Sequence, residues 1–147
     1  MPARALLVLV PLLLACPGQR LDALKERELA EARAAFDAHL VAIHRRDVEG
    51  YLAGYLNAPD FVYIGPGGVT RGFRGFALAR RAAPGFPDSL EAGDPELAWL
   101  APGVVYLAYP YAARQGDAAG HGWSERVFVK TADGWRIAVT GVIPTTP

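Results

Sequence analysis

The sequence predicts an α+β domain: a cone built from a curved mixed or antiparallel β-sheet, with N-terminal helices packed on one face. Three observations predict it. A long Ala-rich stretch without Pro or Gly carries apolar residues at helical spacing. Long β-rich runs fill the second half of the chain. The last two runs flank Ala132-Asp133-Gly134, and Asp-Gly is a strong hairpin signal because both residues tolerate positive φ.

From Leu21 to Arg46 the chain reads as one helix, with Leu29, Ala32, Phe36, Leu40 and Ile43 at three- and four-residue steps. Lys25, Glu26, Arg27 and Glu28 fill the other face early on. Asp47 reads as the N-cap of a second helix, since its carboxylate can accept from first-turn N–H groups. That helix carries Val48, Tyr51, Leu52 and Tyr55 on one stripe and ends before Pro59. Phe61 to Ile64 is a strand, Gly65-Pro66-Gly67-Gly68 a tight turn, and Val69 to Gly72 the return. Phe73 to Arg81 reads as a third helix with Phe73, Phe76 and Ala77 inward, closed by Pro84 and Pro87. Four strands follow: Ser89–Leu100, Val104–Arg114, Trp123–Lys130 and Trp135–Val142. Ala101-Pro102-Gly103 bends the first pair, and Gln115 to Gly122 reads as a longer loop. In the last strand Trp135, Ile137 and Val139 share a pleat face.

The first 15 residues stand apart from this domain. Arg4 is a short positive start and Ala5 to Leu14 is almost wholly apolar, too short for the roughly 20 residues of a membrane-spanning helix. The segment reads as a secretory signal. Leu13-Leu14-Ala15-Cys16 resembles the bacterial lipoprotein signal, in which the cysteine is lipidated and becomes the mature N-terminus. Cys16 is the single cysteine, so no internal disulfide is available to it. The expected organisation is a signal over 1–15, a lipid-anchored tether and helix start over 16–27, and the domain over 28–143. That predicts an exported lipoprotein of the cell envelope, touching the membrane by its anchor only; a cleaved, soluble periplasmic or secreted form is the alternative. Palmitate incorporation that Cys16→Ala abolishes is the check.

Composition narrows the function. Hydrophobic residues at 52% and charged residues at 20% favour a folded globule. Basic and acidic residues balance at 15 each, and no basic patch with interleaved aromatics appears, which argues against nucleic acid. No Cys/His cluster has metal-ligand spacing. No P-loop, G-x-S-x-G or dinucleotide fingerprint is present, so no cofactor is expected.

Three passages carry a resemblance. They are Asp47 and Tyr55 followed by Phe61-Val62-Tyr63-Ile64; Gly67-Gly68 to Arg71-Gly72 opening a helix; and Phe128 to Ile137 with its hairpin. Together they resemble the nuclear transport factor 2-like superfamily, and within it the SnoaL-like bacterial domains, over about Glu28 to Ile143. The resemblance implies a cystatin-like α+β cone, often dimeric through its open sheet face. Many relatives carry a His and a Ser near the positions of Gly141 and Ile143, and a Trp near Ile43; this chain lacks them. The ketosteroid isomerase branch implies an Asp base. Here Asp60, Asp88, Asp94, Asp117 and Asp133 all read as turn or strand-end residues.

Candidate chemistry is therefore sparse. His39 shares a helical face with Phe36 and Ile43 and could aim an imidazole into the cone as a general base; the bland alternative is a helix-edge histidine. Glu125 is the acid inside a strand, on a face with Trp123, Val127 and Val129, where apolar neighbours would raise its pKa. Pairing with Arg114 or Arg136 is its alternative. Arg126 lies on the opposite face, so one of the two charges faces solvent or a partner. Tyr55, Tyr63, Tyr109, Tyr111 and Trp99, with Tyr51, are candidates to line an apolar pocket or simply to pack the sheet. Two functions follow: binding of a small apolar or aromatic ligand or a protein partner, or a small isomerase-, cyclase- or hydrolase-type enzyme using His39, Glu125 and a Tyr. Convergence of His39 and Glu125 on one cavity would favour the enzyme.

Overall fold

A computed structural model describes residues 17–145. The proposed signal segment and Cys16 lie outside the described residues. Helix α1 (Pro17–His44) is followed by α2 (Val48–Ala53), β1 (Val62–Gly65), β2 (Gly68–Arg71), α3 (Phe73–Ala82), β3 (Ser89–Ala92), β4 (Glu96–Ala101), β5 (Val104–Gln115), β6 (Ala118–Thr131) and β7 (Gly134–Pro144). The helix already includes Pro17 to Arg20, a stretch expected as tether.

The helices behave as their spacing predicts. Ala32, Phe36 and Ile43 of α1 are buried, and Leu29 and Leu40 pack against them. Asp47 caps α2, its Oδ1 accepting from the Gly50 N–H at 2.9 Å. Phe76 and Ala77 of α3 face inward. Tyr55, expected on the second helix, lies just past its Gly54 C-cap in a bridge to Ile137, and Phe61, buried just before β1, packs against it and against Phe76 of α3.

The seven strands form one curved, unclosed sheet in the order β2-β1-β7-β6-β5, with β3 and β4 sharing the outer edge of β5. β1 runs parallel to β7; the other pairs are antiparallel. Two expected elements differ. The run expected as one strand over Ser89–Leu100 is split: β3 pairs with Tyr111–Arg114 and β4 with Val104–Ala108. Pro110 lies opposite the break. Its carbonyl accepts from the Gly93 N–H at 2.9 Å, but it has no N–H to continue the ladder on that edge. The expected loop over Gln115–Gly122 is instead a two-residue turn at Gly116-Asp117 flanked by strand, with Gln115 opposite Ala118. Ala118, Ala119 and Gly120 are exposed and lack a core-facing alternation, so their pairing rests on backbone bonds.

Inward alternation on β5 places Val105, Leu107 and Tyr109 on the helix side, and on β6 Ser124, Arg126 and Phe128. In β7 the alternation is interrupted. Val127 pairs with Val139 but Phe128 pairs with Ile137, so Ala138 is an extra residue. This bulge turns Val139 outward, contrary to its expected face, and turns Thr140 inward to 2% exposure. At the final hairpin Gly134 takes φ 103, while Asp133 keeps an ordinary φ. One end of the helix–sheet interface is closed by Glu28, which is buried and accepts from Trp99 Nε1 and the Gly103 N–H, each at 2.8 Å.

Candidate functional site

A cavity of about 170 Å³ lies on the concave face of the sheet. Ile43 and Tyr51 reach it from the helices, Gly85, Phe86 and Pro87 from the connection after α3, and Tyr109, Ser124, Arg126 and Thr140 from the sheet. Gly85 takes φ 61, a left-handed conformation that lets this connection turn back over the opening.

Arg126 dominates the electrostatics. Cross-strand pairing with Thr140 and alternation on β6 turn its side chain inward, where it is 5% exposed. Nη1 donates to Thr140 Oγ1 at 2.6 Å and Nη2 to Tyr109 Oη at 2.7 Å; Nε has no partner. No carboxylate lines the cavity. Burial works against the Arg126 charge, but the facing phenols Tyr109, Tyr55 and Tyr51 outweigh it and its pKa is raised. The guanidinium is a buried cation whose two side-chain partners are hydroxyls.

A second cation, Arg80 of α3, also lines the cavity. Its guanidinium carbon lies 5.4 Å from the Tyr63 ring centre and 5.8 Å from that of Tyr51, and Nη1 donates to Pro84 O at 3.0 Å. Tyr55 and Tyr51 join their hydroxyls at 2.8 Å. Burial above all pushes the Tyr55 phenol well above its ordinary pKa, with Tyr51 adding to the shift; burial also raises Tyr51. Both phenols are neutral donors at physiological pH.

His39 is inside the protein but outside the cavity wall. It is 3% exposed, and its ring centre lies 4.8 Å from Tyr51 and 5.0 Å from Tyr55. Neither ring nitrogen has a partner. A Cβ at Gly54 would come within 2.5 Å of His39 Nδ1, so the end of α2 closes directly over the imidazole. Burial first, and the Arg126 charge second, hold its pKa well below the ordinary value, leaving it neutral.

Glu125 is on the other side of the sheet, beside Trp123 and Val127 on the outward pleat. It accepts from the Tyr106 hydroxyl at 3.1 Å, rather than pairing with Arg114 or Arg136. The structure therefore does not bring His39 and Glu125 together: they lie on opposite faces of one sheet. Tyr55, Tyr63, Tyr109 and Tyr111 line the cavity, whereas Trp99 is held away from it by its bond to Glu28. Sequence reasoning missed Arg126, Arg80, Ser124 and Thr140 as cavity residues. The opposition of Glu125 and Arg126 on β6 was the available signal. Among the described residues no cluster of His, Cys, Asp and Glu is placed to hold a metal.

No protein-family profile and no curated protein matches the chain. Solved structures do. The chain is similar to an NTF2-like protein of unknown function from Shewanella oneidensis, with a TM-score of 0.67 and 16% identity over 78% of this chain and 97% of that one. It is similar to a cystatin-like fold protein from Burkholderia xenovorans, with a TM-score of 0.71 and 19% identity over 82% and 95%. A ketosteroid isomerase-like protein from Erwinia carotovora atroseptica gives a TM-score of 0.65 and 22% identity over 82% and 98%. At these identities what is shared is the fold, which is NTF2-like.

Proposed function

We propose that the domain is a binding module whose concave cavity holds a small ligand with a largely apolar or aromatic body. The observation that carries this reading is the cavity itself, walled by tyrosines, Ile43 and Phe86 around a few convergent polar groups. Its 170 Å³ is below the roughly 300–1,000 Å³ of clefts that take drug-sized molecules, so a single ring or a short chain fits the space. The enzyme reading has less support. An acid/base pair must reach one substrate, and Glu125 faces away from the cavity while His39 is covered by α2.

Saturation-transfer NMR against a set of single-ring and short-chain compounds tests the reading. Hits are expected with the unsubstituted protein and are expected to vanish in Leu90→Trp, which fills the cavity from its wall. Equal saturation of hits by the filled variant would sink the proposal.

A further inference from the structure

We infer that the cavity takes a small organic monocarboxylate, its negative group held by Arg126 with the hydroxyls of Tyr109 and Thr140 and its apolar body lying against Tyr51, Tyr55 and Phe86. The inference rests on the cavity reading above and names the chemistry of the ligand.

Burying a charge without a counter-charge is costly, and native proteins pair or coordinate such groups. Arg126 is in none of the ion pairs among the described residues, although those pairs include much more exposed arginines such as Arg33, Arg46 and Arg81. The most deeply buried guanidinium thus has no carboxylate partner. Its Nε–H is free and buried.

A count of protons gives the same answer. Thr140 Oγ1 and Tyr109 Oη both accept from Arg126, so each still has its own proton to give. Tyr51 and Tyr55 hold two phenolic protons and use one in the bond between them. The cavity therefore offers three guanidinium N–H groups without an acceptor, Nε–H among them, and several hydroxyl protons, with no carboxylate to receive them. Such a donor excess needs a ligand that accepts only, and an ionised carboxylate is acceptor-only with two oxygens. A single deep cation suits a single negative charge. The aromatic wall suits an apolar remainder and leaves a heavily hydrated dianion such as phosphate poorly solvated. Arg80, half-buried in the same wall, adds positive potential that favours entry of an anion.

The test compares matched acids and amides: benzoate with benzamide, and cyclohexanecarboxylate with cyclohexanecarboxamide, with inorganic phosphate as competitor. Each acid is expected to bind about tenfold or more tightly than its amide, since a charge-assisted hydrogen bond is lost in the amide. Arg126→Met is expected to bring the acid down to the affinity of the amide. Should Arg126→Met not fold, the acid-to-amide ratio in the unsubstituted protein, and its decrease in Thr140→Val, carry the test. Amides binding as well as acids, with Leu90→Trp abolishing both, would overturn the inference and leave the cavity reading standing. Phosphate displacing the acids at equal concentration would also overturn it. If neither acids nor amides bind, both readings fall.

Discussion

Two charges are buried against this sheet, and the chain surrounds them in opposite ways. Glu28, 4% exposed, accepts from an indole N–H and a backbone N–H and has Lys130 Nζ at 4.0 Å. Burial alone would raise its pKa, but the bonds from Gly103 and Trp99, with Lys130 and Arg27 nearby, lower it. Arg126, 5% exposed, has two hydroxyls that could both donate as well as accept, an unpartnered Nε and no carboxylate. A buried charge whose partners are all internal is architecture. A buried charge that meets two hydroxyl acceptors and no carboxylate is the feature on which the proposed anion site rests.

Truncating each charge in turn tests that contrast most strongly. Glu28→Ala leaves the Trp99 and Gly103 donors buried and unpaired, with an expected loss of about 3 kcal/mol in urea unfolding. Arg126→Met keeps the apolar length of the side chain and removes an uncompensated cation. Its expected effect is within about 1 kcal/mol of zero, or a gain, because hydrophobic replacement of buried charge is often neutral or stabilising. A loss above about 2 kcal/mol at Arg126 would make that guanidinium a structural element and erase the distinction.

The outline of the fold was legible because it depends on local chemistry. The apolar stripe of α1, the Asp47 cap, the turn at Gly65–Gly68 and the final hairpin each follow from residues close in sequence. The site was less legible for two physical reasons. Period-2 alternation sorts β6 into a set with Trp123, Glu125 and Val127 and a set with Ser124, Arg126 and Phe128, but it does not say which set is inside. The more apolar set is outside, with Trp123 44% exposed, because the inner set lines a cavity and not only a core. Thr140 was hidden by the bulge at Ala138, which no residue type in β7 announces. The aromatic wall was legible in all five of its tyrosines, while Trp99 was drawn away by Glu28, a contact 71 residues distant in the chain.

Acid sharpens the contrast through His39, a buried neutral group beside the same tyrosines. His39 is buried between Tyr51 and Tyr55, with no acceptor for either ring nitrogen, and burial followed by the Arg126 charge holds its pKa well below the ordinary value. Below the unfolded-chain value of about 6.5 the unfolded chain binds a proton that the folded chain refuses, so stability falls as pH falls. Below about pH 6.5 the slope approaches at most about 1.4 kcal/mol per pH unit until the folded-state group titrates, and this group contributes nothing above about pH 7. His39→Leu removes the titrating group while keeping apolar bulk between the two rings. Urea unfolding at a series of pH values is therefore expected to show a difference between the two proteins that opens only below about pH 6.5. Parallel curves for the two proteins would mean that His39 finds a partner on protonation. An acceptor would then exist at this end of the cavity, and the donor excess that separates Arg126 from Glu28 would be smaller than the geometry implies.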